Sequence, residues 1–252
     1  MRIGCAEFAV PGKTLREKLE FLERQKLWLE LANDGAKTPK DVKSLLANYR
    51  VEIRSLQAYR QHELNLLAKD ESERKAAKAH IEETMRFAGE IGARNVVVVT
   101  GYGAPGVIEP RKVLGESLRE FSQLGEEIGV TIGLEPLGAK TSFLPRVGDV
   151  AGFLKELSLE NIGIVMDTMH TFSAGDDPTE VFKENSSIIA EIQLRDTESK
   201  APGRGEIEFK KLGKLLNNYR GLVCLEYRPG ENPERELLDA VSFVNGIISE
   251  AR

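Results

Sequence analysis

The chain predicts a single-domain (β/α)₈ barrel, an α/β fold of the TIM-barrel type. Three observations predict it. Short apolar runs alternate with longer helical stretches from one end to the other, the pattern of a parallel sheet with crossover helices. Eight such units fit into 252 residues, the usual size of this architecture. Four runs in the second half also end in an oxygen-bearing side chain: TIGLE at Glu135, IGIVMD at Asp167, IAEIQ at Gln193 and VCLE at Glu226. Their intervals of 32, 26 and 33 residues each hold one strand, one helix and two loops, so the chain returns to the same edge every time. In a parallel barrel the strand C-termini converge on one mouth.

In order, strands are expected over 2–6, 27–31, 51–58, 95–101, 130–136, 162–167, 188–194 and 222–227. The fourth is the clearest, a β-branched run NVVVVTG followed by the glycine-rich loop GYGAPG. Trp28, in the second, reads most simply as core. Helices are expected over 13–25, 39–48, 72–91, 109–128, 147–157, 178–185, 209–219 and 233–249. The third of these is the strongest, with Ala76, Ala79, Met85 and Phe87 among its apolar positions and mixed charges elsewhere. Pro39, Pro110, Pro178 and Pro233 each fall where a first helical turn would start, a position proline tolerates. No linker, low-complexity tract or charge block divides the chain, so one domain spanning residues 1–252 is expected.

The composition excludes several function classes. A formal net charge of −5 supplies no basic field to hold a phosphate backbone, so generic nucleic-acid binding is disfavoured. Both cysteines, Cys5 and Cys224, fall in predicted strands as small apolar residues, and a structural disulfide is not expected. No run approaches the ~18 apolar residues of a membrane span. The opening MRIGCAEFAVPG begins a strand without a cationic leader, which places the protein in the cytoplasm as an expectation.

A strand gains nothing from a carboxylate at its inner end unless something compensates the desolvation, and a divalent cation does so directly. Glu135 precedes a proline, which restricts its backbone to extended values and holds its side chain at the mouth. Asp167 and His170, in DTMH, are three apart, a spacing that presents both to one locus if the chain turns toward a helix. Gln193 is the ambiguous member: its amide oxygen is a weaker hard-metal ligand than a carboxylate, and it serves equally well as a hydrogen-bonding partner for a hydroxyl-rich substrate. Glu226 closes the set, with an ion pair to Arg228 as its plain alternative. The shell of two glutamates, one aspartate and one amide is all oxygen, which favours Mn²⁺ or Mg²⁺, with Co²⁺ or Zn²⁺ admitted by geometry or availability.

The strings RIGCAEFA, GLEPLG, DTMH, LRD, PGRGEIEF and LEYRPG, in this order and spacing, resemble the xylose-isomerase-like superfamily of sugar isomerases and epimerases. The resemblance extends over essentially the whole chain and includes the tagatose- and psicose-type 3-epimerases and hydroxypyruvate-isomerase-like proteins of that superfamily. It implies one divalent ion held by Glu135, Asp167 and Glu226, with the fourth position on Gln193, where the family usually has histidine. It also implies that His170 contacts substrate. Apurinic endonucleases of the same superfamily bind three zinc ions with many histidines, and the three histidines here, His62, His80 and His170, cannot assemble such a cluster.

The implied reaction is proton transfer at a carbon beside a carbonyl, through an enediolate, with Glu135 and Glu226 as the acid/base pair. The resemblance implies a sugar substrate; Arg195, Arg204 and Arg228 lie in the loops after the seventh and eighth strands, where many barrels bind phosphate, and read either as contacts to a sugar phosphate or as surface ion pairs with Glu198, Glu206 and Glu231. His62, after the third strand, is assigned to the mouth as a further substrate contact. Two alternatives stand beside the isomerase: a polyol or keto-inositol dehydratase on the same metal site, and a catalytically silent barrel with a binding role. Related barrels pair through helices or loops, so a homo-oligomer is an expectation.

Overall fold

In the computed structural model, which describes residues 3–249, eight parallel strands close into a barrel in chain order, with β1 (Gly4–Ala6) paired to both β2 and β8. The others are β2 (Trp28–Ala32), β3 (Ile53–Gln57), β4 (Asn95–Val99), β5 (Thr131–Glu135), β6 (Ile162–Asp167), β7 (Ile189–Leu194) and β8 (Leu222–Leu225). Each expected strand is present: β6 has the expected bounds, β2 is shifted by one residue, and the other six are shorter than their runs, because pairing stops before the run does. Arg2, at the start of the first expected strand, lies outside the described residues. Glu226 falls just past β8, where its N–H still donates to Leu194 carbonyl at 3.2 Å.

The described helices are α1 (Leu15–Gln25), α2 (Pro39–Leu46), α3 (Glu71–Ile91), α4 (Pro110–Ile128), α5 (Val147–Leu157), α6 (Thr168–Ser173), α7 (Pro178–Asn185), α8 (Phe209–Leu216) and α9 (Pro233–Ser249). All four prolines stand in first helical turns as expected. Side-chain oxygens cap the starts: Thr38 accepts from Asp41 N–H at 3.2 Å, Asp70 from Ser72 N–H at 2.7 Å and Asp177 from Thr179 N–H at 2.8 Å. The one helix beyond the expected eight is α6, a short turn that begins immediately after β6. None of the described helices is long and apolar enough to cross a membrane.

Strand alternation sends every second residue into the barrel. Trp28 is buried there against Ala6 and Cys224 rather than exposed at the mouth. Gly4 makes that possible, since a Cβ at its position would stand 2.1–2.5 Å from three atoms of the Trp28 ring. Gly4→Val is therefore expected to overpack the barrel and destabilise it by about 2 kcal/mol, read as a lowered urea midpoint with the slope unchanged.

Candidate active site at the barrel mouth

Four elements carry the site. Glu135 ends β5, Asp167 ends β6 and Glu226 follows β8, and all three side chains turn into the barrel mouth and are buried. Asp167 divides its oxygens between two tasks. Its Oδ1 accepts from His170 N–H at 2.7 Å and so caps α6, which explains why a helix starts directly at the strand end. Its Oδ2 is left for the mouth. The capped turn swings His170 back over the site, with His170 Nε2 at 3.8 Å from Glu135 Oε1.

Arg195 completes the group. Thr168 Oγ1 accepts from its N–H at 3.0 Å and donates to its carbonyl at 2.6 Å, which fixes the backbone after β7. The guanidinium then enters the carboxyl cluster: Nε is 2.6 Å from Asp167 Oδ2, as an ion pair without hydrogen-bond alignment, and Nη1 is 3.8 Å from Glu226 Oε1. Nη2 donates to His170 Nε2 at 2.9 Å, so that imidazole is neutral with its proton on Nδ1. Burial agrees, pushing the His170 pKa down to about 4 despite the opposing pull of Asp167.

The carboxyls respond to the same burial. Desolvation, followed by the neighbouring Glu226 and Asp167, pushes Glu135 well above the usual carboxylate range. Desolvation raises Glu226 to about 7 against the lowering effect of Arg195. Above the group, a cavity of about 440 Å³ opens to solvent, walled by Phe8, Gln57, Tyr59, His62, Tyr102 and Arg228 among others.

The residues fit a hard divalent cation. Glu135, Asp167 and His170 each present a ligand atom within 4.8 Å of the others. Asp167 Oδ2 and Glu226 Oε2 are buried and accept no hydrogen bond, so each keeps an acceptor facing a locus where only a cation or a donor would satisfy it. Arg195 supplies part of that positive charge.

The remaining expected residues divide. His62 lines the cavity wall, exposed, with its ring edge-on to Tyr102 at 6.3 Å. Arg228 also lines the cavity. Arg204 does not; it pairs with Asp239 at 3.2 Å on the outside. Gln193 is fully buried one layer below the mouth, where its Nε2 donates to Glu30 Oε2 at 3.1 Å. The loop that carries Arg204 is held instead by Asp196, whose carboxylate accepts from Gly203, Gly205 and Ile207 N–H at 3.1, 2.8 and 3.0 Å.

Sequence reasoning missed the layer beneath. Glu30 and Glu191 point inward below the mouth, and Gln57, on the cavity wall, donates from Nε2 to Glu30 Oε1 at 2.8 Å. The signal was present in EIQLR, where residues 191, 193 and 195 alternate and so share the inner face of one strand.

The chain matches the family described as xylose isomerase-like TIM barrel over residues 14–246. It belongs to that family. Among its relatives, 3-dehydro-D-guloside 4-epimerase of Escherichia coli K12 is 25% identical over 179 residues, covering 65% of this chain and 68% of that protein. A putative hydroxypyruvate isomerase of Streptomyces coelicolor is 26% identical over 185 residues, covering 66% of this chain and 63% of that one. D-psicose 3-epimerase of Ruminiclostridium cellulolyticum is 27% identical over 114 residues, 44% of this chain and 39% of that protein. The chain thus aligns with between about two fifths and two thirds of these relatives' lengths. The crystal structure of an E. coli 3-keto-D-glucoside 4-epimerase superimposes with a TM-score of 0.89 at 20% identity, over 98% of this chain and 99% of that one. These relatives are epimerases and an isomerase, and a 3-dehydroshikimate dehydratase of Pseudomonas aeruginosa also matches, at 26% identity over 77% of this chain and 32% of that one.

The raised carboxyls give a pH dependence. A carboxyl whose folded pKa exceeds its unfolded value contributes stability at low pH and loses it as pH rises through the folded pKa. His170, depressed, works oppositely, but only below its ordinary value of 6.5. Above pH 6.5 the carboxyls alone remain, so chelator-treated protein should lose on the order of 1 kcal/mol of stability between pH 6.5 and 8 from Glu226. Urea midpoints at the two pH values check this, and Glu226→Gln should reduce the difference, with Glu135, Glu30 and Glu191 supplying the remainder.

Proposed function

We propose that this chain is a divalent-metal-dependent isomerase or epimerase of an unphosphorylated sugar, acting by proton transfer at the carbon beside a carbonyl. The observation that carries the reading is the convergence of three buried carboxyls from three strand ends, with Glu135 and Glu226 lining one cavity and Asp167 buried beside them, and with unbonded oxygens on Asp167 and Glu226. Glu135, Asp167 and Glu226 would hold the ion. When bound, it supplies the charge that polarises a carbonyl and acidifies the neighbouring C–H.

The chain's own residues do the rest. Glu226 takes the proton, leaving an enediolate, and Glu135 returns one from the other side, since the two approach from well-separated strands, β5 and β8. Return to the opposite face inverts the carbon; return to the neighbouring carbon moves the carbonyl. Neutral His170 lines the cavity beside Glu135 and would border a bound substrate. Phe8, partly exposed on the cavity wall, offers an apolar surface for the C–H face of a sugar ring. The pairing of the arginines supports the unphosphorylated substrate: Arg204 pairs with Asp239 outside, and of the three that line the cavity Arg195 is engaged by carboxyls and Arg60 by Glu63, which leaves Arg228. The relatives' sugar substrates support the class.

The test is incubation of the Mn²⁺-loaded protein with keto sugars in heavy water, read by mass spectrometry and proton resonance. Deuterium at the epimerised carbon is expected, with kcat lowered about 10²- to 10⁴-fold in Glu135→Gln and Glu226→Gln. A product lighter by one water would identify a dehydratase instead. Metal binding without any exchange across the keto-sugar panel would overturn the reading in favour of a silent barrel.

A further inference from the structure

Inside the barrel, below the mouth, lies a second group of donors that the proposed reaction does not use. Glu30 on β2, Glu191 on β7 and Cys224 on β8 each present a ligand atom within 4.8 Å of the others, and all three are fully buried. Among the described residues, no lysine or arginine forms an ion pair with either carboxyl. Their hydrogen-bond partners are neutral: Gln57 and Gln193 donate to Glu30, Asn95 donates to Glu191 Oε2 at 2.8 Å, and the Cys224 thiol lies 3.7 Å from Glu30 Oε1.

Two carboxyls in such a place need positive charge, which a proton or a metal ion can provide. A shared proton settles the charge between them and gives Glu191 Oε1 a partner in Glu30, but it reaches nothing else. Two acceptors in this layer then stay without a donor, Gln193 Oε1 and Asn95 Oδ1, both in side chains more than nine-tenths buried. A cation would satisfy acceptors that no donor reaches. A half-turn of the Gln193 amide would place its oxygen where its nitrogen now faces Glu30, and that exchange is favourable only if the group beneath is a cation rather than a bare carboxylate.

We propose that Glu30, Glu191 and Cys224 bind a divalent transition-metal ion inside the barrel, with the Gln193 amide oxygen as a further ligand, separate from the ion at the mouth. One thiolate with carboxylate and amide oxygens suits Zn²⁺ or Co²⁺ and gives Mg²⁺ no advantage. Binding would release two protons, the one shared by the carboxyls and the one on the thiol, so affinity rises with pH. Access runs from the opposite end of the barrel. A cavity of about 620 Å³ there is lined by Asn95, Thr131, Ala190 and Leu222, and Asn95 reaches from its wall to Glu191.

Cobalt decides the matter, because a thiolate ligand gives Co²⁺ a near-ultraviolet charge-transfer band that the oxygen and nitrogen donors of the mouth cannot give. Chelator-stripped protein is titrated with Co²⁺ and its metal content measured by plasma emission. The expected result is two equivalents with the band; one equivalent with the band in Glu135→Gln; and no band in Cys224→Ser, while Cys5→Ser keeps it. Saturation without the band in the parent protein would overturn the proposal, whether or not Cys224→Ser folds. So would a band that survives Cys224→Ser or disappears in Cys5→Ser. A parent that binds a single equivalent with the band would support this site and sink the mouth ion instead.

Discussion

Everything in the upper half of this barrel depends on how buried carboxyls are compensated. Five of them, Glu30, Glu135, Asp167, Glu191 and Glu226, sit at less than a tenth exposure inside one closed sheet. Removing that many acids from water is tolerable only with protons, cations or dense hydrogen bonding. The mouth uses Arg195, whose guanidinium is driven further toward its charged form by Asp167, Glu226 and Glu135 against its own desolvation. The layer beneath has amides and a thiol only, and there both Glu30 and Glu191 are pushed up by burial. The two layers therefore differ in kind: one is an ion cluster, the other a neutralised pair waiting on its charge.

A single strand builds both. Glu191, Gln193 and Arg195 alternate along β7 and its extension, so their side chains rise through the barrel at about 6.6 Å per step. Pairing with β6 sets Gln193 level with Asp167, and pairing with β8 sets it level with Cys224. Gln193 is thus the boundary between layers. A histidine at such a position would offer a ring nitrogen to one side; an amide offers a donor and an acceptor at once, and here the donor is directed downward to Glu30.

The barrel itself was legible because its signals are local. Prolines at helix starts, β-branched runs and capping aspartates act within a few residues of themselves, and the strands and helices follow them closely. The mouth carboxyls were legible for a related reason: an acid that ends an apolar run marks the place where a strand leaves the core, and in a parallel barrel those places share one mouth. Helix α6 was not fully anticipated, because its start depends on Asp167 Oδ1 capping a turn that DTMH alone only suggests. Glu30 and Glu191 were hidden inside runs read as apolar, WLELA and IAEIQ, where one acid among aliphatic residues passes for a solvent-facing position. In an open sheet that would be the better reading. In a closed barrel, the face away from the helices is the inside, and the acid is buried. Arg204 failed to reach the mouth because Asp196 folds its loop outward and Asp239 holds its charge.

The position of Arg195 constrains any mechanism at the mouth. Two cations cannot occupy one locus, and the guanidinium stands 2.6 Å from the same Asp167 oxygen that a metal would use. Under the proposed function, an ion held by Glu135, Asp167 and Glu226 would take over the charge that Arg195 now supplies, and the guanidinium would have to withdraw. Its backbone is fixed on both sides by Thr168, so the withdrawal falls on the side chain alone. The direction left open is the cavity, since protein surrounds it elsewhere. Moved there, Arg195 would meet the oxygens of an arriving sugar, and His170 Nε2 would lose its donor and become free to accept from a hydroxyl. Under the proposed function, the same side chain would be counterion to the carboxyls without a metal and ligand to the substrate with one.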